Sequence, residues 1–119
     1  MIHLIVLLVV LVATAVPALA QDPAKVAPQQ YSVVLENAEV RVLRAVLGPG
    51  EKTPAHDHPA TVVVPLSGGV GRFTLADGKT QELTMAAGTP VWIGAEKHAV
   101  ENVGKTKVDV IVVELKGKK

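Results

Sequence analysis

From Tyr31 onward the chain is written as short apolar runs separated by turn residues. The runs cover residues 31–35, 40–47, 61–66, 70–75, 80–85, 91–93, 99–103 and 107–115. The breaks between them include Gly48-Pro49-Gly50, Ser67-Gly68-Gly69, Ala76-Asp77-Gly78, Ala86-Ala87-Gly88 and Asn102-Val103-Gly104. No stretch after residue 30 sustains a helical period between caps. Many strand-length segments at spacings of roughly ten residues predict an all-β sandwich or barrel. Asp77-Gly78 predicts the tightest hairpin, because both residues tolerate the positive φ of a primed turn.

The first twenty residues follow a different pattern. Residues 1–20 are almost wholly apolar and end in Ala18-Leu19-Ala20, a small-x-small pattern preceded by Pro17; polar residues start at once with Gln21 and Asp22. This is the pattern of a secretory signal peptide cleaved before Gln21. It carries no Lys or Arg near its start, and an uncleaved membrane anchor is the alternative, since the apolar run is about long enough to span a bilayer. Residues 21–30, with Pro23 and Pro28, read as an extended leader. Residues 31–119 then form one small domain, and the protein is expected in the periplasm or secreted.

Composition narrows the chemistry. The 119-residue chain has a net charge of +1 and no cysteine. All its Lys, Arg, Asp and Glu follow residue 20, so the domain itself is near neutral. That argues against a nucleic-acid partner, which calls for a concentrated basic face. Without cysteine there is no disulfide framework, no thiol chemistry and no thiolate metal site. No Gly-rich phosphate loop, nucleophile elbow or Ser/His/Asp pattern is present.

Three of the four histidines lie in the domain: His56, His58 and His98. Residues two apart on a strand point to one face, so His56-Asp57-His58 offers two imidazoles to the same side. Pro54 and Pro59 stiffen the backbone around the pair. Neutral imidazole suits zinc, copper, iron, nickel and, less strongly, manganese. His98 could complete a three-histidine set, although sequence alone does not bring it near the pair.

The spacing of Gly50, His56, His58 and Gly69 resembles the first cupin motif, and residues 88–102, with His98 followed four residues later by Asn102, resemble the second. The resemblance extends over residues 40–115. It implies a cupin-type small β-barrel (jelly roll) binding a divalent metal, Fe, Mn, Zn, Ni or Cu, through His56, His58 and His98. Two positions depart from the pattern. Val62 and Val63 stand where the family places a metal-ligating glutamate, and Gly94 and Glu96 stand where a Pro-x-Gly turn is expected. Of the two valines, Val62 is the expected site-facing position, because it keeps the spacing to Gly69. By side alternation Asp57, Glu101 and Glu51 fall on the wrong face to replace the glutamate, and Glu96 is expected in solvent. Water is then expected in the remaining coordination positions, an open arrangement that catalytic metal sites keep.

Trp92 and Phe73 are expected to pack in the core or line the barrel mouth. Val62, Val64, Val70 and Val91 are the expected aliphatic wall, and Arg41, Arg44 and Arg72 are expected outward and solvated. Three functions remain open: a metal-dependent enzyme (dioxygenase-like, hydrolase or isomerase) on a small organic molecule, a non-catalytic barrel that captures a metal or small ligand, and a structural barrel with a vestigial site. The expected partners are a small-molecule ligand and, to cover open sheet edges, a second copy in a homodimer. No nucleic acid is expected, and no membrane once the signal is cleaved.

Overall fold

The computed structural model describes residues 21–117. The expected signal peptide, residues 1–20, lies outside the described residues. One turn of helix, α1 (Pro23–Val26), precedes nine strands. These are β1 (Tyr31–Glu36), β2 (Val40–Leu47), β3 (His56–His58), β4 (Thr61–Pro65), β5 (Gly69–Leu75), β6 (Thr80–Met85), β7 (Val91–Ile93), β8 (Glu96–Asn102) and β9 (Val108–Leu115). They make two antiparallel sheets, β1-β2-β9-β4-β7 and β3-β8-β5-β6.

Strand alternation explains why the sheets close on each other. The middle of the larger sheet is the eight-residue pairing of β2 with β9, from Val40 opposite Leu115 to Leu47 opposite Val108. Along β2, Leu43, Ala45 and Leu47 are buried; along β9, Val108, Val110 and Val112 are buried. Met85 of β6 and Val100 of β8 meet them in the same core. Burying a side chain of the Leu or Val type stabilises by about 1.5–3 kcal/mol, so this one interior supplies the main cohesion of a domain without disulfides.

Several expectations need correction. The leader is not extended: Asp22 caps α1 by accepting from the Ala24 amide at 3.0 Å, and Pro23 and Ala27 are buried. A short helix forms because Pro at N1 lacks only an amide that would be unpaired there, and Asp22 supplies the cap. The Asp77-Gly78 hairpin forms, but only Gly78 has positive φ, +86°. Leu75 instead accepts from the Gly78 amide and donates to Lys79, giving a three-residue loop. The strand expected at residues 99–103 begins earlier, at Glu96, so His98 sits within it. On β4 the expected aliphatic wall is wrong in parity: Val62 and Val64 are half-buried on the other side, whereas Thr61, Val63 and Pro65 are buried, and Val91 of β7 sits opposite the inward Val63. Trp92 is 61% exposed and lies on a surface cleft with Gln81 and Glu96, not in the core.

Candidate metal centre

The short strand β3 exists because it pairs with β8 in a register that sets His56 opposite His98, Asp57 opposite Lys97 and His58 opposite Glu96. Directly opposed residues share a face, so this pairing brings all three histidines to the interior. They are 0%, 7% and 3% exposed for His56, His58 and His98. Ring centroids lie 4.8 Å apart for His56 and His58, 4.9 Å for His56 and His98, and 5.1 Å for His58 and His98. One ring nitrogen from each lies within 4.8 Å of the others.

Each imidazole is held from behind through Nδ1. His56 donates to the Pro54 carbonyl at 2.9 Å, His58 to Glu114 Oε2 at 2.7 Å, and His98 to Glu96 Oε2 at 3.0 Å. A carbonyl or carboxylate oxygen only accepts, so all three rings carry a proton on Nδ1, and Nε2 is the nitrogen left for a ligand. Burial pushes His56 down to about 4. Burial also lowers His98, although Glu96 opposes it. Both favour the neutral imidazole that a metal needs.

The supporting groups come from the other sheet. Glu114 is inward by the alternation that buries Val110 and Val112. Burial raises its carboxyl, but the hydrogen bonds from His58 and Arg41 outweigh this and hold it below the ordinary range. Arg41 donates to Glu114 Oε1 at 2.7 Å and makes two bonds to Asp22 at 2.8 and 2.9 Å. Sequence reasoning placed Arg41 outward and solvated, as Arg44 and Arg72 are; it is instead largely covered, and links the leader to the site. Tyr31 at the start of β1 donates to His56 Nε2 at 3.2 Å. Burial first, then the Glu114 charge, raises its hydroxyl above the ordinary value, so it stays protonated.

Asp57 points away from the cluster and accepts from the Gln21 amide at 2.8 Å, while its own amide donates to Gln21 at 2.7 Å. Glu101 faces Lys52 and Arg72. Glu96 is not simply solvated: it orients His98. Asn102 lies away from the cluster and closes the barrel end, donating to Leu47 and Thr106 carbonyls at 2.9 Å. Glu114 and Tyr31 were missed. The signal for Glu114 was an acid in phase with the buried valines of β9; for Tyr31 there was none beyond its being the chain's one tyrosine.

The inner side of the cluster opens on a cavity of about 40 Å³. Phe73, Val63, Leu83 and Ile93 line it beside Tyr31, His58 and His98. Phe73 packs edge-on against His98 at 5.0 Å. Phe73, Leu83 and Ile93 also border the surface cleft that holds Trp92 and Glu96.

The fold defines the class: the chain has the double-stranded β-helix architecture of the small single-domain cupins, to which it is structurally similar. A cupin domain from Bordetella pertussis Tohama I superposes with a TM-score of 0.67 at 25% identity, covering 73% of this chain and 92% of that one. A conserved double-stranded β-helix protein from Klebsiella pneumoniae gives 0.60 at 24% identity, over 74% and 72%. An RmlC-like cupin from Methanocaldococcus jannaschii gives 0.58 at 18% identity, over 71% and 77%. No protein-family sequence profile matches the chain, and no curated protein does.

Proposed function

We propose that His56, His58 and His98 bind one divalent transition-metal ion through Nε2, and that the centre serves metal-dependent chemistry on a small organic molecule. One observation carries this: all three Nδ1 atoms are engaged by acceptors, which leaves Nε2 as the available donor of three rings whose ligand nitrogens lie within 4.8 Å of one another. The residues present fit such an ion, since structural and catalytic sites alike use oriented, neutral imidazoles. The bound ion would supply Lewis acidity, an activated water or, if redox-active, oxygen chemistry. The chain's own residues fix the three rings, exclude bulk water and offer an apolar approach past Phe73, Leu83 and Ile93.

The small cavity favours a second reading beside catalysis. About 40 Å³ holds a water or a diatomic molecule more readily than a substrate, and a barrel that only captures its ion needs no more. We also propose export, with residues 1–20 removed before Gln21, on the strength of the small-residue pattern at Ala18 and Ala20.

Metal analysis of untagged protein from its native compartment tests the first proposal, together with His98→Ala. Stoichiometric metal in wild type, lost in a folded His98→Ala, is the expected result. Redox metal would favour oxygen chemistry, zinc hydrolysis or Lewis-acid chemistry, and unchanged content in the variant would remove His98 from the site. Intact mass of the exported chain tests the cleavage.

A further inference from the structure

The carboxylate that the cupin pattern places at the metal is absent, and the acids near the cluster are otherwise engaged. Glu114 is spent on His58 and Arg41, and Glu96 on His98. Among the described residues, the side-chain oxygen hydrogen-bonded to the Nε2 side of the cluster is the Tyr31 hydroxyl. It reaches the site from β1, in the opposite sheet to β3 and β8, and it lines the interior cavity with His58 and His98.

We propose that Tyr31 supplies the oxygen donor of this metal centre, in place of the missing carboxylate. This rests on the metal reading above. The Pro54 carbonyl obliges His56 to carry its proton on Nδ1, so the Tyr31 O–H must donate to Nε2. The phenol therefore spends its single proton on the lone pair that a metal would take. Its own lone pairs accept no hydrogen bond among the described residues. An ion arriving at Nε2 deprives the buried hydroxyl of its acceptor and meets an oxygen with free lone pairs, which coordinates as the neutral phenol with its proton retained. The spacing suits that exchange: two donors each about 2.1 Å from one ion lie about 3.0–3.4 Å apart when adjacent, and Tyr31 Oη lies 3.2 Å from His56 Nε2. Burial of Tyr31 against Ala27, Ala45 and the histidine rings leaves the ring little room to withdraw.

The same contact has an opposite reading, in which the hydroxyl blocks Nε2 and competes with the metal. Tyr31→Phe separates the two by sign, since it removes one oxygen and keeps the ring. Zinc affinity, read by competition with a chromophoric chelator, should fall about tenfold or more in Tyr31→Phe. The cobalt(II)-substituted variant should show an altered d–d absorption, because the ion has lost a protein donor. Unchanged or tighter zinc binding by the folded variant would overturn the proposal, and tighter binding would assign the blocking role. A second measurement does not depend on the variant's folding. Tyr31 is the only tyrosine, so one equivalent of zinc must shift its ring NMR signals in wild type; unmoved signals overturn the proposal. If His98→Ala still binds zinc as wild type does, the three-histidine reading itself has failed. If His98→Ala loses zinc and Tyr31→Phe does not, only the role of Tyr31 has.

Discussion

Glu114 on β9 accepts a 2.7 Å hydrogen bond from His58 Nδ1 on β3, and both side chains are 4% exposed. This bond crosses between the two sheets and ties the His-x-His strand to the opposite wall of the barrel. It fixes the tautomer of His58 and the angle at which its Nε2 meets the cluster. The carboxylate does not stand alone there, because Arg41 neutralises it from the far side.

Glu114→Gln should therefore weaken zinc binding by about 10–100-fold, the usual cost of losing a partner that orients a metal ligand. The amide keeps the shape of the side chain but removes the charge that both His58 and Arg41 use. Zinc competition on the folded variant checks this. Wild-type affinity would mean that packing alone orients His58.

The link continues one step further, from Arg41 to Asp22 beside α1. Asp22→Asn should loosen the leader, with a smaller loss of zinc affinity than Glu114→Gln, because Arg41 still holds Glu114. The sensitive readout is amide exchange at Asp57, whose N–H donates to the Gln21 carbonyl. Exchange at Asp57 should accelerate in the variant. Unchanged protection would show that the leader docks without Asp22.

Acid should destabilise the metal-free protein in a defined window. His56 titrates near 6.5 unfolded and at about 4 folded, so between those values the unfolded chain binds the extra proton. Its contribution is complete above pH 6.5 and is lost as pH falls toward 4. The loss is on the order of 2 kcal/mol by pH 5. The groups acting on His56 are the rings of His58 and His98, the Tyr31 hydroxyl, the Pro54 carbonyl and, from the other face of β3, the Asp57 carboxylate. His98 is lowered too and acts in the same direction. Asp22, Asp109 and Glu114, held below their ordinary values by Arg41, Arg44 and their other partners, add to the loss only at still lower pH. Urea unfolding of apo-protein at pH 7.5 and pH 5 measures it, and equal midpoints would contradict the burial of neutral histidines.

Eight of the nine strands and the three histidines were legible in the sequence because both depend on local pattern; β3 was not among the apolar runs, since its three residues are all polar. Alternation marks strands, and two-residue spacing sets His56 and His58 on one face. What alternation could not decide was absolute phase. Val62 and Val63 differ by one position, and only pairing with β7 and β9 shows which faces in. Nor could spacing reveal partners from distant strands. Glu114 and Tyr31 lie 56 and 25 residues from the histidines they bond, so their roles appear only once the two sheets are stacked. Trp92 could not be assigned between core and barrel mouth, because a lone aromatic in a strand-like run carries no sign of which face is covered.

That phase yields the last prediction. The spacing to Gly69 favoured Val62 as the position replacing the family's glutamate, but the structure gives the site face to Val63. Val63 is buried and lines the cavity with His58 and His98, whereas Val62 pairs laterally with Trp92 and Val113 on the half-buried outer side. A carboxylate at Val63 would put an anionic donor beside the three imidazoles. It would neutralise one unit of charge on a divalent ion and take up an open coordination position. Without metal the same carboxylate is a buried charge with no cation to meet it, which is costly. Val63→Glu should thus be markedly less stable than wild type as apo-protein, recover stability when zinc is added, and bind zinc more tightly than wild type once folded. Val62→Glu should leave zinc affinity unchanged and alter stability only slightly. Thermal melts of both variants with and without zinc separate the two positions. Zinc rescue of Val62→Glu in place of Val63→Glu would reverse the assigned faces of β4.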